Sequence, residues 1–463
     1  MQIKKKNIYQ YFFLLIITVM VVFNGGHNNL FIQYNFIIIS IFFLEFIKEK
    51  NYQAHVKQIF LNNNIAIYLY FLFIGFLIFQ TIPLPIEWLN FLSPEKYTFL
   101  DRMEFSGNFN SISLSPINSY FNILNYLSLF LYLIIFKSLF YKKRDIIKFY
   151  FFLVLLGAFA ASVAVYFYLI GNPDFLMLKH LASKGKGAAT GFFNNRTVFS
   201  CFLTLCFFSG IEYLKMIDYY QKNNTDNFFN KIYVRIFILL ITIGVIVSFS
   251  RLGNFLFISL IIIHISHSLY INDKKNRFFL ITLILIVLFD VLILGFYFGS
   301  ERLLQRFSFL HTELVDYIPL QSENNEYLLS SAQNILSRAD LSKFAFIEFK
   351  KFILFGYGGG GFEYLFKVSF QNLSTNIPAN HYAVHAHSDL IEFFGEFGLI
   401  GFTLIILSAL FFYNKNYFFC LKNIILFYLL FFILIFDFSF HYPLMQFLFI
   451  LLLSINYKKS NNF

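Results

Sequence analysis

Twelve stretches of this chain are candidates to cross a lipid bilayer, the first and last of them short, which removes most of fold space at once. A helical span needs about 17–25 mostly apolar residues, because the hydrocarbon layer is about 30 Å thick and each helical residue advances about 1.5 Å. The runs are Tyr9–Phe23, Leu30–Ile47, Ile65–Gln80, Tyr120–Phe140, Phe149–Gly171, Thr197–Leu214, Ile232–Phe249, Leu252–Ile271, Phe279–Phe298, Leu390–Phe412, Tyr417–Phe436 and Phe440–Ile455. Within lipid every backbone N–H and C=O must find its partner in the chain itself, so runs of this length are helices. The expected fold is all-α and polytopic: about twelve transmembrane helices forming a single integral-membrane domain over residues 1–463. The chain is 58% hydrophobic and only 13% charged, against about 25% charged residues in soluble proteins.

The basic residues orient the bundle. Lys4–Lys6 precede the first run, and clusters such as Lys137/Lys142/Lys143/Arg144/Lys148 and Lys274/Lys275/Arg277 recur after every second run. Seven such segments hold 22 of the 36 Lys and Arg residues. By the positive-inside rule that side is cytoplasmic and both termini lie there. The net charge of +11 is therefore a matter of topology, and no nucleic-acid partner is indicated. Phe23-Asn24-Gly25-Gly26 offers no cleavage site of the signal-peptide kind, so the first run is expected to be retained. Cys201, Cys206 and Cys420 fall in or beside apolar runs without metal-ligand spacing and are expected to be packing residues. The 71 phenylalanines follow no register and mark no aromatic site.

With the termini inside, three external segments exceed a turn: Thr81–Ser119, Asn172–Arg196 and Gly299–His387. The last, residues 299–387, is the expected large periplasmic loop between the ninth and tenth helices, with eight carboxylates against seven basic residues. From Arg338 to Phe352 the apolar positions Leu341, Phe344, Ala345, Ile347 and Phe352 suit an amphipathic helix, ending near the glycines of GYGGGGF.

Polar groups collect on that external side. Lys179, Lys184, Lys186 and Arg196 sit together with only Asp174 to offset them. Arg251 lies between two runs so closely abutted that its guanidinium is at the membrane surface. Each arginine admits two readings, a side chain snorkelling to lipid headgroups or a fork that clamps a diphosphate. Gly358 and Gly359, within Gly358–Gly361, permit a tight turn, a close approach to a bulky ligand, or a plain hinge. No Gly-Lys-Ser/Thr follows, so this is not a nucleotide loop. His385-Ala386-His387-Ser388-Asp389 alternates ligand-type residues, but alternate residues converge only on an extended chain, and Ser388 has the character of an N-cap. No metal site is assigned there. At helical spacing Asp389, Glu392 and Glu396 share one face, three carboxylates entering the membrane, with the external arginines as the expected counter-charge. His387 stands just before that helix, facing the aqueous mouth.

In this order QTIPLP, LSP, SISLSP, TGFFNNRTVFS, SFSRLGNF, SRADLSKFAF through LFGYGGGGF, AHSDLIEFFGEFGLIG and DFSFHYPL resemble the bacterial O-antigen ligase and O-antigen polymerase family of polytopic glycan transferases. The likeness runs from about Gln80 to Leu444 and rests on the order of the pieces with the long loop before the last three runs. The family's H-[NS]-x-[YL] motif corresponds to His387-Ser388-Asp389-Leu390, so the resemblance implies that His387 is the catalytic base and leaves His385 as an extra. It also implies that Arg251, Arg338 and, with a weaker match, Arg196 hold the diphosphate of an undecaprenyl-diphosphate-linked glycan. Lys184, Lys186, Asp389, Glu392, Glu396, Gly358 and Gly359 would support them.

The expected activity is a membrane glycosyltransferase at the periplasmic face of the bacterial inner membrane, needing no cofactor, nucleotide or metal. A diphosphate leaves readily once its charge is held, so arginines and one base suffice. The acceptor separates a ligase, which uses lipid A core, from a polymerase, which uses a second lipid-linked glycan, and from a protein O-oligosaccharyltransferase. A non-enzymatic lipid-glycan flippase or exporter is the rival class. It would place polar residues at the midplane of discontinuous helices and carry internal repeats, whereas these gather at one face.

Overall fold

The computed structural model describes residues 2–172, 187–220, 226–271, 338–370, 383–412 and 420–455. The run Phe279–Phe298, the loop residues 299–337 and Lys179, Lys184 and Lys186 lie outside the described residues. The long helices are α1 (Gln2–Val22), α2 (Asn29–Ile47), α4 (Asn64–Thr81), α7 (Pro116–Leu139), α8 (Lys143–Leu169), α9 (Arg196–Tyr220), α10 (Asp226–Val247), α11 (Arg251–Ile271) and α13 (Asp389–Phe412). Among the described residues these nine are long and apolar enough to span a membrane, and the shorter α14 (Leu421–Phe436) and α15 (Pro443–Ser454) are mostly apolar, with Lys422, Asn423 and Gln446 buried among their apolar residues. The chain is an all-α, multi-pass membrane protein.

Not every helix was foreseen. Residues expected to form a basic turn instead make α3 (Lys50–Asn62), whose Val56 is buried while Lys50 and Lys57 are exposed. A short helix with one apolar stripe and lysines opposite is suited to the membrane surface.

Helix α9 is the axis of the bundle, with its apolar window buried throughout, and α8, α10 and α11 pack around it. Apolar helices gain no hydrophobic drive from one another in lipid, so close backbone approach through small residues does the work. A Cβ added at Gly157 would lie 2.5 Å from Cys206 Cβ, and one at Gly244 would lie 2.7 Å from Ala161 Cβ. Cys201 and Cys206 are buried here as expected, but Cys420, at the N-cap position of α14, is exposed and is not a packing residue.

Outside the spans, the segment after α4 forms a two-residue hairpin, β1 (Leu84–Pro85) antiparallel to β2 (Phe109–Asn110), enclosing α5 (Ile86–Leu92) and α6 (Pro94–Arg102). The expected loop helix is α12 (Arg338–Phe349), with Leu341, Phe344 and Ala345 buried against its neighbours.

Helix α13 is broken. Gly398 has φ +61° and ψ −176°, interrupting the helix about two and a half turns in. An interruption at this depth strands backbone groups, which is tolerated only where protein re-satisfies them. The chain entering the glycine loop does so. Ile353 and Leu354 carbonyls accept from Leu399 and Ile400 at 2.8 and 3.3 Å, while Tyr357 and Gly358 N–H groups donate to Gly395 and Glu396 carbonyls at 2.9 and 3.0 Å. Gln80 of α4 adds a side-chain N–H to the Glu396 carbonyl at 2.9 Å.

The glycines make this docking possible. Gly356 has φ +71°, and a Cβ there would sit 2.3 Å from the Glu396 carbonyl oxygen. Gly171 also has positive φ (+85°) but nothing within 4 Å. Gly356→Ala is therefore expected to lose more than about 2 kcal/mol, combining strain and overlap, whereas Gly171→Ala loses about 1 kcal/mol from strain alone. Thermal unfolding of the two variants in detergent checks this: equal melting temperatures would show that the docked loop does not constrain α13.

Candidate active site

Five segments meet where α13 begins. Residue Ser342 of α12 donates its hydroxyl to the Ala386 carbonyl at 2.8 Å, which ties the loop helix to the histidine-bearing strand of chain before α13. Asp389 N–H donates to the Asp437 carbonyl at 3.0 Å, which ties α13 to the turn after α14. Ser388 stands at the N-cap position and its carbonyl accepts from Glu392 N–H at 3.0 Å. Its hydroxyl reaches the Leu434 carbonyl at 3.4 Å instead of capping, so the side-chain cap expected from the sequence does not form.

Arg338 opens α12 and its guanidinium lies 3.5 Å from the buried Asp437 carboxylate. Burial pushes the Asp437 carboxyl above its usual range, and Arg338, the Ser439 hydroxyl and the N–H groups of Phe438 and Ser439 oppose that. The carboxylate fixes the guanidinium, which keeps nearly half its surface exposed at the mouth.

His387 lies beside this pair. Its φ is +57°, the left-handed region that a histidine occupies at some cost, and such strain persists only where its surroundings enforce it. Its ring meets Phe438 edge-on at 4.8 Å and its Nδ1 has no hydrogen-bond partner. Burial, then the charge of Arg338 and the nearby His385, lower its pKa to about 3, so the resting imidazole is neutral.

The three carboxylates of α13 do share one face, as helical spacing requires, and they converge on a residue that sequence reasoning gave no role. His441 Nδ1 contacts Asp389, and His441 Nε2 lies 3.5 Å from Glu392 and 3.6 Å from Glu396. Phe440 N–H donates to Asp389 at 2.7 Å, Ala386 N–H to Glu392 at 2.8 Å, and Gly360 N–H to Glu396 at 2.6 Å. The expected pairing with external arginines is thus replaced, among the described contacts, by an imidazole and main-chain donors. Burial alone would lower the His441 pKa, but Glu392, Asp389 and Glu396 together hold it well above the ordinary value. His385 is more than an extra: its Nδ1 hydrogen-bonds Glu392 at 2.9 Å and its ring stacks on Phe438 at 4.7 Å. His385, Glu392 and His441 each bring a ligand-type atom within 4.8 Å of the others.

The other candidates fall around this centre. Arg196 and Arg251 are the first residues of α9 and α11, both half-buried. A Cβ at Gly253 would overlap Ser200, so the starts of α9 and α11 are pressed together, and Cys201 lies against Ser439 of the Asp437 turn. Arg196, Arg251, Arg338 and His387 therefore come to one end of the bundle from four separate segments. Gly358 and Gly359 approach α7 and its lead-in: added Cβ atoms would lie 2.3 Å from Ser113 Oγ and 2.8 Å from Asn122 Nδ2. That contact is with protein, neither a hinge nor open space for a ligand.

The profile of the O-antigen ligase family (Wzy_C) matches residues 236–406, from inside α10 to within α13. This part of the chain belongs to the O-antigen ligase family. No curated protein and no solved structure gives a significant match. The ligase domain contains Arg251, Arg338, His387 and the three carboxylates, while Asp437 and His441 stand beyond it. Those two are the residues sequence reasoning missed, although paired titratable groups in a short turn between apolar runs were the available signal.

Proposed function

We propose that the chain is a membrane glycan transferase of O-antigen ligase type. It moves a glycan from undecaprenyl diphosphate to a hydroxyl of lipid A core at the periplasmic face of the inner membrane. The observation that carries this reading is a neutral, strained His387 beside a guanidinium fixed by a buried carboxylate. In the reaction the acceptor oxygen attacks the anomeric carbon and the bond from that carbon to the phosphate oxygen breaks. His387 takes the acceptor proton, and undecaprenyl diphosphate departs with its charge held by Arg338, Arg251 and Arg196. Bidentate guanidinium–phosphate pairs suit that load.

The break in α13 is the one feature that favours transport, since discontinuous helices line transporter sites. Its backbone groups are paired to the docked loop, however, which leaves them no ligand to bind. Purified protein given a lipid-linked repeat unit, with and without lipid A core, separates the possibilities. Transfer to core is expected. A ladder formed without core means a polymerase, and relocation of the donor across a vesicle without transfer means an exporter.

A pH profile follows from the site. His387 acts in its neutral form, and its folded pKa of about 3 lies below the ordinary 6.5, so falling pH protonates it only late. The value of kcat/KM reports the free enzyme and is expected to stay level from pH 7 to about pH 5. A tenfold fall per unit starting near 6.5 would mean that the base is an ordinary solvent-exposed histidine.

A further inference from the structure

We propose that His441, Glu392 and Glu396 bind one divalent transition-metal ion of the zinc class at the external end of α13. His441 Nε2 lies 3.5 Å from Glu392 Oε1 and 3.6 Å from Glu396 Oε2. These two separations are longer than an ordinary hydrogen bond, and each matches the roughly 3.3–3.6 Å between neighbouring ligands about 2.0–2.2 Å from a tetrahedral zinc. His441 Nε2 and Glu396 Oε2 have no hydrogen-bond partner although their side chains are 8% and 0% exposed.

The outer atoms of all three residues are already held. His441 Nδ1 engages Asp389, Glu392 Oε2 accepts from Ala386 N–H at 2.8 Å, and Glu396 Oε1 accepts from Gly360 N–H at 2.6 Å. His385 Nδ1 steadies Glu392 Oε1 at 2.9 Å. A histidine gripped by a carboxylate through one nitrogen, with the other left free, is the usual setting of a metal ligand. Charge points the same way, since among the described contacts three buried carboxylates face the imidazole of His441 and, at Glu392, that of His385, and a divalent cation offsets what a proton leaves uncompensated. A proton and the ion compete for Nε2.

The ion joins the glycine loop, the chain before α13 and the Asp437–His441 turn, the segments that frame His387. Its role is to fix the mouth, and no step of transfer passes through it.

The test uses full-length protein in detergent, freed of its purification tag, stripped with a chelator and titrated with Zn²⁺ or with Co²⁺ as a coloured probe. Uptake of one equivalent with the absorption of tetrahedral Co²⁺ is expected. His441→Gln should abolish it, and Asp389→Asn, which leaves the ligands intact, should weaken it about 10–100-fold. Glu396→Gln keeps the side-chain shape and the acceptor for Gly360, and should weaken binding at least tenfold if His441→Gln does not fold. Absence of stoichiometric uptake by the unaltered protein, or uptake unchanged in these variants, overturns the proposal. None of these readouts depends on glycan transfer, so the result stands apart from the proposed activity.

Discussion

His387→Gln and His387→Asn are expected to lose glycan transfer by about a hundredfold or more while still binding the donor lipid. Both keep a hydrogen-bonding side chain but neither can take a proton at working pH. Asparagine also accepts the left-handed backbone more readily than histidine, whose φ here is +57°. The His387→Asn protein should therefore melt no lower than the unaltered one, which separates a chemical loss from a folding loss. Near-normal turnover in either variant, or an equal loss in His385→Ala with His387 intact, would move the base elsewhere.

Arg338→Ala is expected to cost about a hundredfold in turnover, in the range found when one fixed donor to a developing oxyanion is removed. Arg338→Lys should recover only part of it. Lysine retains charge but not the planar fork, and the 3.5 Å approach to Asp437 orients a guanidinium rather than a point charge. Asp437→Asn should resemble Arg338→Lys, because it releases the guanidinium without removing it. Full transfer by Asp437→Asn would show that Arg338 needs no anchor. A KM effect without a kcat effect in Arg338→Ala would assign the residue to ground-state binding alone.

Much of the bundle was legible from hydrophobicity because lipid makes length and apolarity nearly sufficient conditions for a spanning helix. Helix α12 was legible as a helix, but its faces are mixed, with Glu348 buried and Phe346 exposed. Two features were not. Helix α3 mixes lysines with apolar residues over thirteen positions, a pattern equally suited to a polar turn. The break at Gly398 lies in GEFGLIG, which has the composition of an uninterrupted span, and its cause is a backbone segment some forty residues earlier in the chain.

The site divides in the same way. Helical spacing was enough to align Asp389, Glu392 and Glu396, because they lie on one element. Their partners Gly360, Ala386 and His441 come from three other segments, and no helical period carries over from one segment to another. Arginines were the expected counter-charge since they were the conspicuous external cations, yet a histidine after α14 lies closer to all three carboxylates. Nothing in the string DFSFHYPL sets Asp437 apart. Its burial beside Arg338 is a tertiary fact.

The most direct test of the proposed activity is reconstitution of the purified protein in liposomes with a labelled undecaprenyl-diphosphate glycan and lipid A core, following glycan transferred and lipid diphosphate released together. Glycan gained by the acceptor should equal undecaprenyl diphosphate released, mole for mole, and both should fall about a hundredfold in the His387→Gln protein at unchanged donor binding. Release of lipid diphosphate without transfer, or transfer that proceeds equally well in His387→Gln, would contradict it.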